Sequence, residues 1–500
     1  MKTKKYFFMA ALAILMTACS SDDNELTQLP VKAEGITITA QLAPKSSSAK
    51  TRAVTESGNK IVVDWAVNEH LAILYEVSST KYAADARVTA VDGSGNATIE
   101  FTVEGGTTDG TACQIVYPLT AAKDDHSGVK DNATLLANQD GTLSSNLDVR
   151  VGAGTIQTST PSLDVTTQPA AQFAIWKLTL ANNAKNLCIM ANDITIAGAT
   201  LDSEGTEFYV AVPAVTSKTV TIVANDASNN CYYYSKASVS LAAGSYYRSS
   251  PTMTALGIES SADVYKITGT SGVTIPAGKT VVLSGVTISG GQIACSGDAT
   301  IILMGNNTVS AAGNQAAIKI GGSGTTLTIT GSGSLTATGG SSGAGIGTDK
   351  VISGTLSGGN IVINGGTVTA TGGNSGAGIG TGHAQNATNT CGNITINGGT
   401  VTATGANGGA GIGTGVSMQG GASNRCGNIT IGTGVISVTA KKSSSYPPGL
   451  NSIGIGKIMS NGKQACGTIT IGGTIYWDGS AYQNGGETYL VNDITYPTAP

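Results

Sequence analysis

The chain has 500 residues, a formal net charge of −4 and only 12% charged residues. Beyond the N-terminal lysines its only basic pair is Lys441–Lys442, which argues against a nucleic-acid partner bound through its phosphates. The length suits about three domains, and an apolar fraction of 40% is enough for packed cores.

Residues 1–18 place Lys2, Lys4 and Lys5 ahead of an apolar run from Phe7 to Ala18. The run is too short to span a membrane and has the form of a secretory signal. It ends Met16-Thr17-Ala18-Cys19, followed by Ser20-Ser21-Asp22-Asp23-Asn24-Glu25. This resembles a bacterial lipoprotein signal, with Met16 where the motif usually has Leu. The resemblance implies that Cys19 is lipidated, with palmitate, and holds the protein in the outer membrane. The acidic run resembles the surface-export tag of Bacteroides-type lipoproteins. Residues 19–35 have the composition of a tether.

Strand patterns start at 36–40 and recur at 61–65, 71–77, 97–103, 113–117, 172–180, 194–196, 208–212, 219–223, 231–234 and 237–241. No helical period of useful length appears. Many short strands between turn signals predict an all-β chain with two β-sandwiches, over 36–152 and 153–258. Cys188 and Cys231 both sit in strand-like runs, where a disulfide and two free thiols are both open.

Several motifs fall in order along this region: Thr51-Arg52-Ala53, Trp65-Ala66-Val67-Asn68-Glu69-His70-Leu71-Ala72-Ile73-Leu74, Tyr117-Pro118, the run FYVAVP at 208–213, and Ala242-Ala243-Gly244-Ser245-Tyr246-Tyr247. Together they resemble the fimbrillin-like family of Bacteroides-type surface proteins, which usually has Gly-Asp where Asn68-Glu69 stands. The resemblance implies transthyretin-like sandwiches and, in polymerising members, a trypsin-like cut after an Arg. Arg52 is the candidate for that cut; the plainer role for it is an exposed loop residue. The cut would remove a segment that includes a strand and leave a groove for a strand from another fimbrial subunit. An unpaired sheet edge offers its backbone groups to any extended segment.

The region 259–480 repeats itself. GAGIGT starts at residues 343, 376 and 409, a period of 33 residues. Between the copies stand an IxI strand (Ile361, Ile363; Ile394, Ile396) and TVTATG. A fixed period with side chains alternating faces predicts stacked coils of a parallel β-helix, with Ile, Val and Ala inside and Thr outside. Looser early coils are expected from residue 264. Cys391, Cys426 and Cys466 each precede an IxI strand by three residues and are expected to stack inside the coils; metal or disulfide chemistry is the alternative. This region also resembles the β-helical carbohydrate-binding modules of secreted bacterial proteins. Inserts at 383–390, 416–425 and 441–450 would line one face. Residues 481–500 are expected to cap the open end or to pair through 488–491 as a last strand.

Chemistry is poorly provided for. Between Ile301 and Trp477 the only acid is Asp349, whereas glycoside hydrolysis needs two carboxylates. His383 has no acidic neighbour in sequence. GAGIGT lacks the helix and distal acid of a dinucleotide site, and the calcium nonapeptide needs an Asp these turns lack. No catalytic residue, metal site or cofactor is predicted. The outward Thr arrays suit an ordered lattice or sugar hydroxyls, while Trp477 falls in the inward register. The expectation is a non-enzymatic surface lipoprotein, a fimbrial accessory or tip subunit or adhesin. The alternative is a free-standing carbohydrate-binding lipoprotein with glycans as partners.

Overall fold

The computed structural model describes residues 35–45, 55–57, 60–136, 139–258, 260–418, 423–442, 451–457, 464–490 and 492–497. Cys19 and Arg52 lie outside them. The described chain is all-β, with only short helical turns.

In β1 (Ile36–Leu42) apolar and polar residues alternate, so Ile38, Ala40 and Leu42 are buried while Thr37, Thr39 and Gln41 face out. A hairpin of β2 (Thr55–Ser57) and β3 (Lys60–Val62) follows. The first unit is completed by β4 (His70–Val77), β5 (Thr80–Val91), β6 (Ala97–Val103), β7 (Thr111–Tyr117), β8 (Arg150–Gln157) and β9 (Ser162–Ala171). Seven strands form one closed order, β1-β6-β5-β4-β7-β8-β9. Closure comes from β1, antiparallel to β6 along its length and parallel to β9 at Thr39 and Ser162. Ile38, Leu71, Ile73, Ile99, Ile115 and Ile156 fill the inside with Trp65. The division expected after residue 152 falls within β8, which pairs with β7 from Arg150 to Ile156. The first sheet therefore runs on to Ala171.

The second unit is built on a long strand, β10 (Ala174–Ala191). It is joined by β11 (Ile194–Val212), β12 (Val215–Asn225), β13 (Cys231–Leu241), β14 (Tyr246–Ser249) and β15 (Thr254–Ala255). The β10–β11 ladder is irregular between Thr179 and Asn186. Before that break β10 is flanked by β14, and after it by β12, so one strand serves two layers. Trp176, Leu178, Phe208 and Val210 from one part meet Leu187, Ile189, Val220 and Ile222 from the other. A separate cluster of Leu74, Val116, Val149, Phe173 and Ile175 joins the two units, with Leu136 from the short helix α1 (Asn132–Leu136).

From Val264 onward the chain winds into coils that pair in parallel. Ile361, Ile394, Ile429 and Ile469 share one register, and Val368, Val401 and Val438 another. All these aliphatic side chains point inward and are essentially fully buried. At about 1.5–3 kcal/mol for each buried Ile or Val, this column dominates the stability of the stack. Cys391, Cys426 and Cys466 are in register on successive coils, and all three are free thiols, as are Cys188 and Cys231.

The early coils differ for a physical reason. Val282, Ile302 and Met304 face out of the stack and pack on Cys188, Met190, Val223 and Cys231 of the second unit. These strands are buried on both faces, which is why they read as unbroken apolar runs. At the far end, the helical turn α2 (Gly486–Tyr489) occupies part of the stretch expected as a strand. Gly485 starts the turn with φ of 75°, Tyr489 stacks on Tyr476, and Leu490 buries itself in the core. The strand that pairs is Ile494–Tyr496, antiparallel to Val438–Ala440.

Gly380 has φ of 137°, and a Cβ there would run into the carbonyl oxygen of Gly413 on the next coil. Gly322 has open space around it. Gly380→Ala is expected to cost more than about 2 kcal/mol in chemical unfolding. Gly322→Ala should be close to neutral, and equal effects would contradict the close stacking.

Candidate functional site

Three features of the surface are built for contact rather than for chemistry. The first is the seam around β1. This strand is bonded along one edge, from Ile36 opposite Val103 to Leu42 opposite Ala97, while its other edge meets β9 at a single residue pair. Its inward residues lie on Ile99 and Phe101 of the barrel core. Taking β1 away would uncover a whole strand edge on β6 and an apolar trough beside it. The predicted cut, at Arg52, is not described, but β1 is the strand that precedes it.

A buried charge cluster holds the chain just after β1. The Lys45 side chain is 1% exposed, with Nζ 3.1 Å from Glu69 Oε2 and 3.7 Å from Asp148. The ammonium lies 3.5 Å from the Tyr117 ring centroid and 4.2 Å from that of Trp65, a cation–π arrangement. Arg150 Nε donates to Asp148 at 2.8 Å, and Tyr117 OH donates to Glu69 at 2.7 Å. Trp65 Nε1–H donates to Ala43 O at 2.8 Å. Burial lowers the Lys45 pKa from the usual lysine value, while Asp148 and Glu69 pull it back up. Sequence reading missed this latch, because nothing in Pro44-Lys45 marks the lysine as buried. Trp65, Glu69 and Tyr117 were visible only as family-like motifs. Lys45→Ala is expected to destabilise the protein by about 3 kcal/mol in chemical unfolding, because it removes the cation between half-buried Glu69 and buried Asp148. A loss under about 1 kcal/mol would contradict the latch.

The second feature is the outer face of the coils. Thr287, Thr308, Thr336, Thr369, Thr402 and Thr439 share one register, and Thr495 extends the row. The rungs lie about 4.8 Å apart. Asp349 is fully engaged: it pairs with Lys319 at 2.7 Å and accepts from Gln292 Nε2 and Ala316 N. His383 is buried with Nε2 unpartnered among the described residues, and burial together with Lys350 lowers its pKa. Trp477 donates to Cys466 O at 3.1 Å and meets Tyr482 edge-on, closing the end of the core.

The third feature is a cleft of about 280 Å³ between α1, β11 and the corners of the coils. Leu136, Ile194 and Ile196 form one wall, and Gly365, Asn397 and Gly398 the other. Among the described residues no charged or aromatic side chain lines it.

The thiols are structural. Burial pushes Cys113, Cys188 and Cys295 up to about 12, and hydrogen bonds with Cys391 and Cys466, with burial, raise Cys426. The thiolate is the reactive form, so these groups are inert in the fold. Iodoacetamide at pH 8 is expected to leave all four unmodified in native protein and to label them after unfolding. Fast native labelling would contradict the burial.

A family model described as a beta helix repeat matches residues 327–349, 361–383 and 394–416. The 33-residue unit is similar to a β-helix repeat. No curated protein matches the chain. Among solved structures, the chain is similar to a fimbrial assembly protein from Parabacteroides distasonis, at 10% identity and TM-score 0.24, covering 43% of this chain and 91% of that one. It is also similar to the tip fimbrial protein Mfa3 from Porphyromonas gingivalis, with a C-terminal truncation. That match has 10% identity and TM-score 0.23, and covers 43% of this chain and 94% of the other.

Proposed function

We propose that this protein is a non-enzymatic surface lipoprotein, tethered to the outer membrane through Cys19, that serves as an adhesin or as an accessory or tip subunit of a fibre. The observation that carries the reading is β1, a single alternating strand that closes the first sheet and lies just ahead of Arg52. Its loss would open the β6 edge, Ala97–Val103, to an extended segment of another subunit. Strand addition of this kind draws affinity from backbone hydrogen bonds and register from alternate side chains.

The β-helix supports a terminal place in such a fibre. It is fixed to the second unit by the cluster around Met190 and Met304, and by hydrogen bonds from Thr330 Oγ1 to Asp193 O (2.7 Å) and from Gly331 N to Thr195 Oγ1 (3.0 Å). A rigid domain in that position obstructs end-to-end stacking. The engaged state of Asp349, the sole acid over most of the β-helix, supports display over catalysis. The uncharged rows of threonine favour glycan capture as a second reading, to be tested on a glycan array.

Trypsin is expected to cut native protein after Arg52 and to spare Lys45, whose side chain is sealed. On gel filtration the cut wild-type protein should keep its N-terminal fragment longer than the cut Lys45→Met variant. Once freed, the body should form multimers that a synthetic peptide of residues 36–45 suppresses. A cut body that stays monomeric after losing the fragment would overturn the fibre reading.

A further inference from the structure

Asparagines in the β-helix bond in several ways. Asn360, Asn393 and Asn428 stand at corners, and the side-chain carbonyl of each accepts a backbone N–H from the coil above at 2.8–2.9 Å. Asn389 and Asn424 differ. They are in register on adjacent coils, point inward and have no exposed surface. Their amides donate, Asn389 to Gly382 O at 3.2 Å and Asn424 to Gly415 O at 3.2 Å and Gly456 O at 3.4 Å. Among the described residues their carbonyl oxygens have no partner, and neither has the hydroxyl of Ser417, which is equally buried.

The three orphan oxygens belong to one corner. Ser417 bridges Ala384 on the coil below. Ala384 and Ser417 each stand two residues past the glycine that accepts from the asparagine of the same coil. The corner is also lined by buried Thr348, Thr381 and Thr414, whose hydroxyls accept the N–H groups of Gly382, Gly415 and Gly456 at 2.9–3.0 Å. It forms a polar column in a stack filled mainly by aliphatic side chains.

A buried oxygen without a hydrogen bond is costly, and native interiors meet that need with ordered water when two to four polar partners are at hand. The column offers acceptors and a hydroxyl but no carboxylate, and burying a cation without an anion is far more costly. We propose that a short file of ordered water runs inside the coils at this corner, donating to Asn389 Oδ1 and Asn424 Oδ1 and bonded to Ser417 Oγ. The file joins neighbouring coils through solvent where the backbone ladder alone leaves the asparagines unsatisfied. It also accounts for polar residues in a register that an aliphatic side chain would otherwise fill.

The test is a high-resolution crystal structure of the whole protein grown in rubidium chloride. Density is expected at about 2.7–3.2 Å from each of the three oxygens, with no anomalous signal at the rubidium edge. A dry corner, with the asparagines bonded to each other, would overturn the proposal, as would an anomalous peak marking a cation. The double variant Asn389→Leu plus Asn424→Leu should stay folded and lose the density, and persistence of the peaks would count against it. If that variant fails to fold, Asn424→Ser keeps an oxygen in the corner and should keep water at that coil; a dry coil in Asn424→Ser would overturn the proposal.

Discussion

The C-terminal half depends on how closely its coils approach one another at the Ile–Gly ladder. Gly347, Gly380, Gly413 and Gly454 have φ between 120° and 148°, and at the first three a Cβ would strike the carbonyl of the next coil. Backbone therefore lies directly on backbone at this corner, and the coils are held at one strand spacing along the stack. Once that spacing is set, the remaining side chains have two places to go. Aliphatics enter a column shared by every coil, and threonines form rows on the outer faces. Acids are almost absent from the β-helix, while basic residues such as Lys441, in register with Thr404, take exposed positions on the coils.

The first unit is held together differently. Its closure depends on β1, which is bonded fully on one edge only and anchored at its end by Lys45. Continuity of the barrel thus rests on one non-covalent strand and a buried ion cluster, whereas the β-helix distributes its stability over many equivalent rungs. Between the two, the second unit presses Cys188 and Met190 against Val282 and Met304, so the β-helix is seated rather than tethered. The closing strand at one end and the rigid stack with its rows of threonine at the other are the features the proposed role draws on.

Much of this was legible in the sequence. The 33-residue period fixed which residues of the repeats face inward, because strand alternation and coil stacking leave no freedom once Ile361, Ile394 and Ile429 share a register. The thiol stack followed from the same spacing. The rest depended on tertiary partners. The early coils look irregular because Val282 and Ile302 are covered by another unit, and a single sequence cannot say what lies across an interface. The division after residue 152 was misplaced because turn residues near 152–162 mark a hairpin within one sheet as readily as a boundary. The Thr488–Val491 run has strand propensity, but Gly485 begins a helical turn there and Leu490 is drawn into the open end of the core. Of the site, β1 could be read as a strand, while the Lys45 cluster could not, since a buried lysine is recognised only by the carboxylates and rings that fold around it.

The central claim is that the first sheet is closed by a strand proposed to separate, while the β-helix is a rigid stack seated on the second unit. Amide hydrogen exchange before and after the N-terminal fragment is displaced tests it most directly. The account predicts that Ala97–Val103 loses protection when the fragment leaves, while Ile361, Ile394 and Ile429 keep theirs. Continued protection of Ala97–Val103 with the fragment gone, or loss of protection through the coils at the same time, would contradict it.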